Sequence, residues 1–173
     1  MSISMSKLDR LSDEIRRLRA AKSFDEAADK VSAALRELET CDQHFALYLG
    51  ALISWDRGLF DLAIQELNEA IKVAPKNPGY RDQHMIWVLL RKRYREAIAS
   101  ANMICEGRVD FSERFSDSAW FHMAYAYLQS RQWKKAETAL KNVKDLQPIW
   151  IAGRFLRKDD LAQLIKAKTT VDN

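Results

Sequence analysis

An aromatic residue followed three positions later by alanine recurs along this chain at a nearly constant interval. The aromatic residues are spaced by 36, 34 and 39 positions, and the four pairs are Phe24 with Ala27, Phe60 with Ala63, Tyr94 with Ala97, and Trp133 with Ala136. A period of this length indicates repeated supersecondary elements, each of which buries its hydrophobic face only against its neighbours.

The segments that precede these aromatic residues are also predicted to be helical. Apolar residues occupy most faces of the segments 44–55, 81–90 and 118–128, and very short turns follow them. Such turns force consecutive helices to pack antiparallel. Each repeat is therefore a helix A, a turn and a helix B, with alanine where the two helices approach closely. Pro75 and Pro148 are expected to end helix B, because proline cannot continue the helical hydrogen bonding.

This pattern resembles the tetratricopeptide repeat, a helix–turn–helix element of about 34 residues. The second repeat matches the family best, at Gly50, Ala51, Gly58, Phe60, Ala63, Ala70 and Pro75. The resemblance covers roughly residues 8–150 and places the four repeats at 8–41, 44–77, 78–111 and 117–150.

The resemblance implies an all-α fold, a right-handed solenoid of about four repeats in a single domain over residues 1–173. Arrays of this kind need a terminal element with a polar outer face. Residues 151–168 are predicted to supply it as a C-terminal capping helix. Leu161, Leu164 and Ile165 would form its apolar face.

Composition and motifs argue against an enzyme. The chain has a formal net charge of +4 and only 5 glycines, and it contains neither a phosphate-binding loop nor a nucleophile elbow. His44, His84 and His122 fall on different helices without a ligand partner at helical spacing, so no metal and no cofactor are expected. Cys41 and Cys105 are interpreted as small buried hydrophobes in a reducing compartment.

The sequence also bears on location. The first residues lack the apolar core of a secretory signal, and no apolar run reaches the roughly 18 residues of a membrane span. The expectation is a cytoplasmic protein without a membrane partner.

In the tetratricopeptide family, helix A lines the inner groove. The resemblance therefore assigns a peptide-binding groove to Phe45, Tyr48, Leu52, Trp55, Ile86, Leu89, Phe121 and Tyr125. Asp82 lies at the edge of this apolar and aromatic set. Relatives that grip a carboxylate carry Lys and Asn at two of these positions, whereas this chain has Tyr48 and Leu52, so that activity is not expected here.

An exposed apolar groove calls for something that covers it. The main interpretation is an apolar peptide or helix of a partner protein. Two alternatives remain open: a terminal helix of the chain itself, or self-association with a second copy. The function expected from the groove is protein–protein interaction, as an adaptor, a chaperone or an inhibitor.

A second candidate surface is a basic edge formed at the turns between helices A and B. Its residues are Arg91, Lys92, Arg93, Arg95, Arg131, Lys134 and Lys135. Arg95 and Lys134 begin a helix B, where the helix dipole disfavours cations. An acidic protein or a nucleic acid is the alternative partner for this edge. The net charge of only +4 argues against nucleic acid, and a solvated charged edge is the simplest interpretation.

Overall fold

The computed structural model describes residues 2–110, 113–144, 147–151 and 153–170. The chain divides into two compact units, Met1–Pro75 and Lys76–Asn173, which we call the N-terminal unit and the C-terminal unit. The single domain predicted over residues 1–173 stays a prediction.

Two pairs of helices form the N-terminal unit. They are α1 (Ser2–Ala20), α2 (Phe24–Glu37), α3 (Gln43–Asp56) and α4 (Phe60–Val73). Ile15, Val31 and Leu49 lie at the centre of a hydrophobic cluster to which α1, α2 and α3 all contribute. These helices pack because each has an apolar stripe that must leave water.

The C-terminal unit continues the same pattern and then departs from it. Its elements are α5 (Pro78–Leu90), α6 (Tyr94–Cys105), α7 (Glu113–Gln129), α8 (Trp133–Lys141), β1 (Ile149–Ile151), β2 (Arg154–Leu156) and α9 (Lys158–Thr169). α5 packs on α6, α7 packs on α6 and α8, and α9 contacts α8 and α7.

Each aromatic residue of the repeat pattern begins a helix B. Phe24, Phe60, Tyr94 and Trp133 are the first residues of α2, α4, α6 and α8. The four alanines that follow them are all buried. The predicted all-α repeat fold is confirmed.

Polar side chains also link the paired helices. The buried Ser54 hydroxyl on α3 donates a hydrogen bond of 2.6 Å to Glu66 Oε2 on α4. On α5 and α6, His84 Nδ1 lies 2.6 Å from Ser100 Oγ. Each contact satisfies polar atoms that would otherwise destabilise the interface.

The four A–B turns share one backbone geometry. Lys22, Gly58, Lys92 and Arg131 all have positive φ, between 58° and 78°. In each turn the next residue donates its N–H to a carbonyl five positions earlier, as Leu59 does to Ser54 and Arg93 does to Val88. This is the Schellman ending of a helix, in which the left-handed residue reverses the chain.

The C-terminal cap differs from the prediction. Residues 151–168 were expected to form a helix alone, but an antiparallel β-hairpin precedes α9, with Trp150 opposite Phe155. Gly153, at φ 82°, lies between its strands. The segments Ile149–Ile151 and Arg154–Leu156 are rich in branched and aromatic residues, which favour extended backbone. α9 begins with Asp160 Oδ2 accepting the Arg157 N–H at 2.8 Å.

Pro148 does not end helix B of the fourth repeat, so that prediction was wrong. α8 stops at Lys141, well before the proline. Asn142 caps it, because its side-chain amide donates to the Thr138 carbonyl at 2.9 Å. Pro75, in contrast, follows Ala74, the C-cap of α4, as predicted.

Two glycine substitutions test the turn geometry. Gly58→Ala should lower the free energy of unfolding by about 1 kcal/mol, since a side chain is strained at positive φ even in open space. Gly50→Ala, inside α3, should be neutral or raise that energy by up to about 1 kcal/mol, because its new methyl would meet Val31 at an ordinary 3.5 Å. Urea unfolding followed by circular dichroism measures both. Equal losses in the two variants would contradict the left-handed assignment of Gly58.

Candidate functional site

Helix α3 has more apolar surface than its own unit buries. Ala46, Leu49 and Ile53 point into the core of the N-terminal unit. On the rest of the helix lie four residues predicted for the groove, all half-buried: Phe45, Tyr48, Leu52 and Trp55. They recur at helical spacing, so they share one side of α3. We call these four residues the α3 face.

The α3 face is held by contacts within the N-terminal unit. Phe45 and Leu52 pack against its hydrophobic cluster. The ring of Trp55 meets the ring of Phe60 edge to face, with centroids 4.8 Å apart. These contacts fix the side chains before any partner arrives, which limits the entropy lost on binding.

The C-terminal unit does not present an open groove at the predicted residues. Phe121 is 0% exposed, Leu89 5% and Tyr125 9%, while Ile86 is half-buried. The expectation that the first three line an accessible surface is therefore corrected. They belong to the core, since α7 packs between α6 and α8 and contacts α5 and α9.

The contact of α9 with α7 bears on the alternative occupants of the groove. α9 and the hairpin before it come from the C-terminal segment of the chain itself, and Arg154 of that hairpin acts electrostatically on Tyr125 of α7. In this unit, these contacts support the alternative in which a terminal helix of the chain covers the predicted groove residues.

Two histidines of the C-terminal unit are buried and neutral. Burial lowers the pKa of His84 to about 4, and burial also lowers the pKa of His122. The His122 Nδ1–H donates to the Ser118 carbonyl at 2.7 Å. Both residues therefore act as packed hydrogen-bonding groups, and no cluster of metal-ligating side chains occurs in the part of the chain that the structure describes.

Asp82 is the residue whose environment the sequence reasoning missed. Its Oδ1 atom is buried without a hydrogen-bond partner, and so is Nε of the adjacent Arg81. Burial raises the pKa of the Asp82 carboxyl to about 6, although a hydrogen bond from Ser118 opposes the rise. The signal in the sequence was Arg81, a charge where the repeat pattern places Trp or Leu.

The basic edge is mostly open to water. Arg91, Lys92, Arg95, Arg131, Lys134 and Lys135 are exposed, and Arg93 is half-buried. Arg93 forms two hydrogen bonds of 2.7 Å with the Glu96 carboxylate, which offsets its charge. The Lys135 ammonium lies 5.7 Å from the centre of the Tyr127 ring. All seven residues belong to the C-terminal unit.

The two cysteines differ in their exposure to solvent. Cys41 is exposed in the connection between α2 and α3, and Cys105 is partly buried. The expectation that both are buried hydrophobes was wrong for Cys41. Burial, with a smaller contribution from the Glu106 charge, raises the pKa of the Cys105 thiol to about 12, so this thiol is a poor nucleophile.

Comparison with known proteins supports the fold. None of the protein-family models and none of the curated proteins matches the chain. Among solved structures, it is similar to MamA 41-end from Desulfovibrio magneticus RS-1, with a TM-score of 0.67 and 17% identity, over 96% of this chain and 95% of that one. It is also similar to the MamA RS-1 ArsTM double mutant, with a TM-score of 0.67 and 14% identity, over 96% and 97%.

MamA is a helical repeat protein of the tetratricopeptide type. At these identities the likeness shows that the fold is shared. Within the described residues, no helix combines the length and the hydropathy that crossing a membrane requires.

The buried carboxyl of Asp82 predicts a pH-dependent effect of Asp82→Asn. The folded state raises this pKa from 3.8 to about 6, so it favours the protonated form, and ionisation costs stability as pH rises through this window. Asp82→Asn should therefore raise the free energy of unfolding by roughly 2 kcal/mol at about pH 8 and by almost nothing at about pH 4.

Urea unfolding at the two pH values measures the difference in the free energy of unfolding between variant and wild type. The titration of His84 occurs in both proteins and cancels in this difference. Asp110→Asn, a change at an exposed carboxylate of the same unit, is the control and should shift stability by less than about 0.5 kcal/mol. A gain from Asp82→Asn that is equal at both pH values would contradict the raised pKa.

Proposed function

We propose that the chain is a non-enzymatic protein-interaction module that holds an apolar segment of a partner protein on the α3 face. The observation that supports this most directly is the surplus apolar surface of α3. Phe45, Tyr48, Leu52 and Trp55 remain partly accessible although the adjacent side of the same helix already fills the core and Phe45 and Leu52 pack against it. Aromatic side chains held in place by their own contacts are typical binding anchors.

The occupant that fits this face is an amphipathic helix. Its apolar residues would follow helical spacing and meet Tyr48 and Trp55, as in other helix-in-groove complexes. Tyr48 would also present a hydroxyl to a polar group of the partner. The role as adaptor, chaperone or inhibitor depends on what that helix does in the partner protein.

The decisive experiment replaces the anchors and spares the core. Tyr48→Ala/Trp55→Ala should reduce retention of the partner at least about tenfold, since interface aromatic residues contribute about 2 kcal/mol or more each. Proteins captured from the native cell extract are quantified by mass spectrometry for wild type and variant. A synthetic helix from the captured protein is then titrated against both.

The matched control is Leu59→Ala/Leu62→Ala. These leucines, at the start of α4, are 46% and 44% exposed, so the control removes apolar surface from another part of the same unit. Circular dichroism must show that all variants fold. If the two double variants lose the same partner equally, or neither loses it, the α3 face is not the binding site.

Self-association is the competing use of the α3 face. In that case wild type would form dimers whose proportion rises with concentration, and Tyr48→Ala/Trp55→Ala would be monomeric. Sedimentation velocity over a range of concentrations separates this outcome from binding to another protein.

The basic edge supports a second candidate function, docking of an acidic partner, because six of its seven residues are exposed. Salt separates the two modes. Binding through the edge should weaken steeply between about 50 and about 200 mM salt, whereas binding on the α3 face should change little. Isothermal titration with the captured partner at the two salt concentrations measures how steeply the affinity falls with salt. A steep slope that survives Tyr48→Ala/Trp55→Ala would assign the partner to the edge.

A further inference from the structure

A cavity of about 450 Å³ lies in the C-terminal unit where the end of α7, the start of α8, strand β2 and α9 meet. Its volume falls in the range of ligand pockets. Three of its seven lining residues are basic, three are apolar, and the seventh is Gln129. The main lining residues are Arg131, Arg154, Lys168, Leu128, Trp133 and Leu164. We call this space the cap cavity.

The three cations of the cap cavity form no ion pair among the residues that the structure describes. No described carboxylate lines the cavity itself. Asp160 lines a neighbouring cavity together with Arg154 and Leu164 but forms no ion pair with Arg154. Like charges around one concave space focus a positive potential there. An anion that enters would relieve their mutual repulsion.

A cavity in the N-terminal unit shows the contrasting case. It measures about 400 Å³ and lies between α1 and α2. Its charges pair with each other, Lys7 with Glu37 at 2.8 Å and Lys30 with Glu14 at 2.9 Å. Two of the three cations that line this cavity are therefore paired with carboxylates that also line it, whereas none of the three cations of the cap cavity forms an ion pair with a described residue.

Arg154 comes from the hairpin, where its neighbours on the same face are apolar. Side chains alternate along a strand, so Arg154 shares the face of Leu156, and it pairs with Ile151 across the hairpin. Ile151 and Leu156 are buried. Arg154 itself is exposed, so its guanidinium is accessible to a ligand beside these two apolar side chains. It also lies close enough to Tyr125 for its charge to lower that pKa, against the rise that burial causes.

We propose that the cap cavity binds an acidic segment of a partner protein, with carboxylates on Arg131, Arg154 and Lys168 and an apolar side chain against Leu128 and Leu164. Arginine suits this role because its planar fork matches a carboxylate. Leu128 and Leu164 favour a peptide, since aliphatic side chains bury well against each other whereas nucleotide bases prefer to stack on aromatic rings. This site does not depend on the α3 face, and it shares only Arg131 with the basic edge.

The test uses a fluorescein-labelled short peptide in which leucine alternates with pairs of glutamate. Wild type should bind it with an anisotropy change that a glutamate–serine peptide of equal charge reproduces only weakly. Arg154→Gln/Lys168→Gln should weaken binding at least about tenfold, because a lost charge pair of this kind typically costs that much. Leu164→Gln should weaken binding of the leucine peptide alone.

The control variant is Lys144→Gln/Lys166→Gln. Lys144 and Lys166 are exposed in the same unit and do not line the cap cavity, so the net charge changes equally. If the control loses as much affinity as Arg154→Gln/Lys168→Gln, or if the leucine peptide does not bind wild type, the proposal is overturned. It is overturned as well if a labelled oligothymidine binds more tightly than the peptide and responds to the same variant, since the site would then serve nucleic acid.

Discussion

The geometry of every repeat depends on the distance between its two helices. The first turn of each helix B carries an alanine that is fully or almost fully buried, and a larger side chain there would push the helices apart. Interiors are packed too densely to absorb such a change. Because the alanine recurs, each repeat repeats the same geometry. The aromatic residue three positions earlier fixes where helix B starts, and the A–B turn fixes where helix A ends.

Within that frame, the two units differ in what they leave accessible. The N-terminal unit keeps the apolar α3 face half-exposed and pairs the two lysines of the cavity between α1 and α2 with glutamates. The C-terminal unit buries most of its corresponding apolar residues, and the three cations of the cap cavity form no ion pair within the described part of the chain. Equivalent positions of the repeat pattern are therefore partly accessible in one unit and mostly buried in the other.

The repeat pattern predicted the helices well because it reports contacts between neighbouring segments. Phe60 begins α4 and Pro75 follows its cap, as the offsets required. The same pattern failed where contacts involve the C-terminal segment. The burial of Phe121 depends on the packing around α7, which includes α9, and a strand of three residues such as Ile149–Ile151 is too short to show a period. The environment of Asp82 depends on Ser118, which is distant in sequence.

Three of the four A–B turns carry a lysine or an arginine at the left-handed position, where glycine costs least: Lys22, Lys92 and Arg131. Each such residue holds its backbone about 1 kcal/mol above what glycine would allow. The chain thus keeps a positive charge at one point of each of these turns at the expense of local stability. Since the turn backbone is the same with Gly58, the charge of the turns can change from one repeat to another while the helices keep their spacing. The repeats therefore separate two tasks, since their interiors preserve the fold and their turns are free to diversify the surface.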